Sequence, residues 1–165
     1  MENQHYTIGD WVEFTNYKIG ICTPQCGQIV ALNPVRGNPE INGVSISYTD
    51  KVGNKCLYIG CNIIHIRPIP ITEKMLVENG FERIEADKYY PAARYWWGKD
   101  GNRDGFMIEI TPYNPPLNGV KFLTTIHAEC SHRVGVNKIH NCDIEYVHQL
   151  QQAIRICGIE KEITL

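Results

Sequence analysis

Hydrophobic and polar positions alternate along much of this chain, and helical spacing is confined to two stretches. Val44, Ile46 and Tyr48 alternate with Ser45 and Ser47, the pattern of a strand buried on one face. Trp11-Val12-Glu13-Phe14, Gln28 to Leu32 and Cys56 to Ile66 are similarly rich in branched and aromatic residues, with Gly, Pro and Asn in the gaps. Four short strands before residue 70 predict a small, strongly bent sheet or barrel. The connections are long. Lys18 to Gly27 holds Gly20, Cys22, Pro24 and Cys26, and Asn33 to Gly43 holds Pro34, Gly37 and Pro39. Such loops are either variable surface connections or the places where a small barrel carries its binding residues.

From Ile63 the pattern changes. Arg67-Pro68-Ile69-Pro70 is a stiff extended connector, because each proline fixes its own φ and disfavours helix at the residue before it. Thr72 then takes the N-cap position, Glu73 the first turn and Gly80 the C′ position of a short helix over Glu73 to Asn79. A hairpin follows, Arg94 to Trp97 and Phe106 to Thr111, in which Phe106, Ile108 and Ile110 share a face. Pro112 to Gly119 reads as a loop. Val120 to His127 reads as a strand with Val120, Phe122, Thr124 and Ile126 on one face, and Lys138 to Cys142 as another. The last helix has Asp143 as N-cap, Gly158 at C′, and Ile144, Val147, Leu150, Ile154 and Cys157 at helical spacing.

The expected fold class is therefore α+β, with residues 1–70 as a β unit and 71–165 as an antiparallel sheet packed by a short helix and by a C-terminal helix over 143–157. Composition sharpens this only a little. The chain has 165 residues, 43% hydrophobic and 21% charged, within the range of ordinary globular proteins. A net charge of -2 argues against wholesale binding to duplex nucleic acid. There is no secretory signal at the start and no apolar run of membrane-spanning length, so a cytoplasmic location and no membrane partner are expected. The seven cysteines are then expected as thiols, most of them small buried hydrophobes.

Two resemblances add to this reading. Gly9-Asp10-Trp11-Val12-Glu13-Phe14, a variable loop and Gly27-Gln28-Ile29-Val30-Ala31-Leu32 resemble SH3-like barrels of the Tudor and KOW type. That implies an SH3-like β-barrel over residues 1–70, a fold that binds peptides, RNA or proteins. Residues 66 to 162 resemble small proteins of Bacteroides-type gut bacteria and their phages and prophages. The match lies at Pro68, Ile69, Pro70, Thr72, Glu73, Asn79, Gly80 and Phe81, and again at Tyr146, Val147, His148, Leu150 and Gln151. It implies a phage or mobile-element context and carries over no catalytic residue.

The richest candidate site is the stretch from Lys88 to Phe106. Tyr89, Tyr90, Tyr95, Trp96 and Trp97 stand among Lys88, Arg94, Lys99 and Arg103, against Asp100 and Asp104. Aromatic faces stack on bases and cations pair with phosphates, so Tyr90, Arg94, Tyr95, Trp96, Trp97, Lys99 and Arg103 are candidate ligands for a nucleotide-like small molecule or a short single-stranded nucleic acid. Strand alternation places Tyr95 and Trp97 on one face and Trp96 on the other, so part of this set belongs to the core.

A second constellation is Cys130, His132, His140 and Cys142. An antiparallel hairpin centred on Val136 would set Cys130 opposite Cys142 and His132 opposite His140, giving four donors for Zn²⁺. The alternative is thiols packed under the last helix and solvent-facing histidines. Cys22, Cys26, Cys56 and Cys61 would make a further metal site only with a bulge between Cys56 and Cys61. His148 is expected at the surface or at the boundary between helix and sheet. No nucleophile elbow, Walker A loop, dinucleotide fingerprint or carboxylate pair is present, so nothing points to an enzyme. The expected function is a non-enzymatic phage or prophage binding protein, in a counter-defence role, that sequesters a nucleotide-like signal or binds a host protein. A nucleic-acid-binding module using the barrel and a structural homo-oligomer are the alternatives.

Overall fold

The structure, a computed structural model, describes residues 5–16, 21–34, 41–89, 93–98, 106–117, 120–128 and 137–165. Within them lie two antiparallel five-stranded sheets and two helices, a mixed α+β fold. The chain divides into two units between Ile69 and Pro70.

The first unit holds β1 (Trp11–Asn16), β2 (Ile21–Pro34), β3 (Ile41–Thr49), β4 (Lys55–Asn62) and β5 (Ile66–Pro68), with a 3₁₀ turn at Ile63–His65 before β5. The sheet order is β4-β3-β2-β1-β5. Val12, Phe14, Ile29, Val44, Ile46, Cys61 and Ile66 fill its core, as expected for Val44 and Ile46, but Ser45 is buried as well, its Oγ accepting from Asn33 Nδ2 at 3.0 Å. The Tyr48 and Tyr58 rings close on Phe14 with centroids at 5.2 and 5.9 Å. Gly27 lets β2 and β3 approach: a Cβ there would stand 2.5 Å from Ile46 Cγ2 and 2.7 Å from the Ser47 carbonyl oxygen. β4 and β5 are the two edges of this sheet, so its strand pairing does not close a barrel among the described residues.

The second unit holds α1 (Glu73–Glu78), β6 (Glu82–Ile84), β7 (Arg94–Trp97), β8 (Phe106–Leu117), β9 (Val120–Ala128), β10 (Asn137–Ile144) and α2 (Val147–Ile156), with sheet order β10-β9-β8-β7-β6. Tyr95, Ile108, Ile110, Thr124, Ile126 and Ile144 are buried along the strands, and Leu76, Val147, Leu150 and Ile154 along the helices. α1 begins as its residues predict. Thr72 Oγ1 accepts a 3.2 Å bond from Met75 N, and Gly80 takes φ 77° just past the end. The stiff connector is paired as well: Pro70 bridges Tyr146, and Ile71 N donates to Glu145 O at 2.9 Å.

Four boundaries differ from the sequence reading, each for a physical reason. Residues 21–27, expected as loop, are strand, because β1 pairs along them from Asn16/Ile21 to Val12/Gly27. β8 runs through the prolines to Leu117. β7 covers it only from Ile108 to Ile110, and the pairing of β8 with β9 is irregular between Pro112 and Leu117, so few ladder bonds are required along this stretch. Asp143 does not cap α2, since Asp143 and Ile144 pair with Leu123 and Phe122 in β10. The helix starts after Tyr146, where Gln149 Oε1 accepts from Glu145 N and Tyr146 N at 2.8 and 3.0 Å. The long run from Cys56 to Ile66 breaks into β4, the 3₁₀ turn and β5.

Asn79, at the C-cap of α1, ties the last residues of the unit in place. Its Nδ2 donates to Met75 O and Thr164 O at 2.9 and 2.8 Å, and its Oδ1 accepts from Thr164 N at 2.8 Å. Lys161 Nζ donates to Asn79 O at 2.7 Å. Ile159 and Ile163 are thereby held in buried positions. An Asn79→Ala change strands several polar groups at once and is expected to cost about 2–3 kcal/mol. Urea denaturation followed by tryptophan fluorescence checks this, and a loss under about 0.5 kcal/mol would contradict it.

Candidate functional site

The residues expected to line a nucleotide pocket fall on both faces of β7. Tyr95 is fully buried in the core. Its burial, followed by the neighbouring Glu73, raises the phenol above its ordinary 10.0, with Arg83 opposing. Trp97 shares that face and lies under Lys161, whose Nζ stands 4.8 Å from the Trp97 ring and 5.5 Å from Phe81. Burial lowers the Lys161 pKa. Arg94 and Trp96 occupy the other face. The Arg94 side chain is only 11% exposed and its guanidinium lies 5.8 Å from the Trp96 ring. It sits 3.6 Å from Asp87 Oδ2 and 3.8 Å from Glu109 Oε1. A guanidinium between two carboxylates has its charge already matched, which disfavours it as a phosphate clamp. Tyr90, Lys99 and Arg103 lie outside the described residues.

The zinc constellation depended on a register that β9 and β10 do not adopt. His140 pairs with Ile126 and Cys142 with Thr124, and a shift falls between Lys138 and His140. The two strands meet from Ala128/Asn137 onward, so neither residue has the expected opposite number. Cys130 and His132 lie outside the described residues. The bulge needed between Cys56 and Cys61 does exist: β4 gains a residue between Tyr58/Ile46 and Cys61/Val44. Cys26, however, pairs with Glu13 on the face opposite to Phe14 and is exposed. No group of three or more His, Cys, Asp or Glu suited to a metal occurs among the described residues. His148 is 2% exposed, deeper than a boundary position, with its ring stacked on Tyr146 at 5.9 Å. α2 buries His148 and Gln151 beside Val147, Leu150 and Ile154, a wider face than its apolar stripe indicates.

The surface that the sequence reading passed over is the edge strand β4. Leu57 and Ile59 are 56% and 66% exposed, and Ile64 in the following turn is 75% exposed. On the same side of the sheet Ser47 pairs with Leu57 and Gln28 with Ser47. The small Ser47 on β3 thus lies beside the large apolar Leu57 on β4. The signal was present in Lys55-Cys56-Leu57-Tyr58-Ile59, whose alternation marks two usable faces, but an apolar edge is indistinguishable in sequence from an apolar core strand.

Arg94→Ala removes the cation between Asp87 and Glu109 and is expected to destabilise the protein by about 2 kcal/mol, below the full buried-pair value because Asp87 is half exposed. Adding Glu109→Gln should restore part of that loss in chemical denaturation, whereas additive losses would show that the pair is not coupled. Comparison with protein-family models, with curated proteins and with solved structures gives no match.

Proposed function

We propose that the protein is a non-enzymatic binding protein whose first unit, a small SH3-like open barrel, engages a protein partner. The order β4-β3-β2-β1-β5 and the 3₁₀ turn before β5 support the SH3-like reading. One observation carries the binding reading: Leu57 and Ile59 stand exposed on an edge strand. Edges of soluble proteins are ordinarily blunted by charge, proline or cover, and clustered exposed apolar side chains mark interaction surfaces. A nucleotide site on β7 draws less support, because Arg94 faces two carboxylates and Trp97 faces Lys161. A nucleic-acid surface on the first unit also draws little, since Arg67 stands opposite Glu13. In the phage or prophage context that the resemblance of residues 66–162 implies, the partner is a host protein and the role is counter-defence.

The test is capture from a lysate of a Bacteroides-type bacterium with the full chain and with Leu57→Lys and Ile59→Lys as baits. Lys74→Ala, on an exposed side chain of α1, is the control. A protein retained by the native chain and the control should be lost from both lysine variants. Equal retention by all four baits would refute this surface.

A further inference from the structure

The open side of β4 can be assigned atom by atom from the turn that precedes it. Asp50 N donates to Asn54 O at 2.9 Å and Gly53 N to Asp50 O at 3.1 Å, with Gly53 at φ 90°. Asp50 and Asn54 therefore form a hydrogen-bonded pair closing a three-residue loop. Bonded and non-bonded pairs alternate along an antiparallel ladder. Cys56 and Tyr58 then bond to Tyr48 and Ile46, while Lys55 and Leu57 occupy the non-bonded positions opposite Thr49 and Ser47. The far side of the sheet gives the same phase independently. Ile29 N donates to Asp10 O at 3.0 Å and Ile29 O accepts from Gly9 N at 2.6 Å, so the Ile29 backbone faces away from β3. Its partner Ile46 must then turn its own groups towards β4. The N–H and C=O of Lys55 and Leu57 thus point to the edge that no strand covers among the described residues. The Gly60 bulge, at φ 72°, ends the run.

Resting on the reading of this unit as a protein-binding module, we propose that β4 takes up an extended strand of the partner, antiparallel, with an apolar residue opposite Leu57, another beside Ile59 and an acidic residue opposite Lys55. Antiparallel addition uses both backbone groups of Leu57 and of Lys55 on one partner residue each. Side chains of paired residues share a face, so the partner residue opposite Leu57 meets an apolar side chain and the one opposite Lys55 meets an ammonium. Read from its N-terminus, the motif is apolar, any, apolar, any, acidic. A second copy of the chain fits less well. Centred on Leu57, it would set Lys55 against Ile59 twice with no carboxylate for either charge. Two apolar side chains also fall far short of the roughly 800 Å² per partner that a stable dimer buries.

The probe is the end-capped peptide Thr-Val-Thr-Val-Thr-Glu-Thr, titrated into the isotope-labelled full chain and followed by amide NMR. Shifts centred on Lys55 to Ile59 are expected. N-methylation of the second valine, which removes the hydrogen bond to the Leu57 carbonyl, should weaken binding by about tenfold. Replacing the glutamate with lysine should weaken it roughly threefold at low salt. Equal binding of the N-methyl peptide would overturn strand addition while leaving the apolar surface, tested by Leu57→Lys, intact. No shift at millimolar peptide would overturn it too. So would concentration-dependent dimers of the chain that Leu57→Lys abolishes, because the edge would then belong to a second copy.

Discussion

The turn at Asp50–Asn54 sets the phase of everything on the β3–β4 side of the first sheet. Asp50 gathers Val52 N and Asn54 N on Oδ1 at 3.0 and 2.8 Å, and Asn54 Nδ2 on Oδ2 at 3.1 Å. These donors, led by Asn54 N, hold its carboxyl below the ordinary 3.8. A lowered folded-state value means the turn contributes its stability above that range and loses it as the pH falls through it. With Gly53 free to take φ 90°, the loop closes in three residues and fixes which residues of β4 bond inward. A slip of one residue would exchange Leu57 for Tyr58 on the open face and bury the wrong set.

The second unit solves a different problem. Its two helices are short, and α1 has only six residues, too few to be stable by itself. Fixed points supply what length does not. Thr72 caps the start of α1, Pro70 and Ile71 pair with Tyr146 and Glu145, and Asn79 closes the other end onto Thr164. Of the aromatic and basic residues that suggest a ligand pocket in the sequence, Arg94, Tyr95 and Trp97 make internal contacts here. Lys161 lies over Trp97 and Phe81, and Arg94 lies between Asp87 and Glu109.

Much of the fold was legible because local rules acted alone. The cap at Thr72, the glycines at 80 and 158 and the buried positions Val44, Ile46, Ile108 and Ile110 depend on neighbours in sequence. What was hidden depends on partners in space. Pro24 and Pro112 read as loop, yet lie in strands flanked on one side only. Asp143 is a good cap by chemistry, yet pairing with Leu123 keeps it in β10. The zinc register failed for the same reason, since the pairing of β9 with β10 is set along their whole length and not by the residues near Val136. The exposure of Leu57 and Ile59 was beyond reach as well. Nothing in an apolar alternation tells whether a strand is central or at an edge.

Residue-resolved amide hydrogen exchange on the free full chain addresses the account at its base. The amides of Cys56 and Tyr58, bonded to β3, should exchange slowly, and those of Lys55 and Leu57 should exchange fast. Protection of Leu57 equal to that of Tyr58 would mean that the edge is already occupied or that the ladder runs in the other phase, and an open β4 would then be wrong.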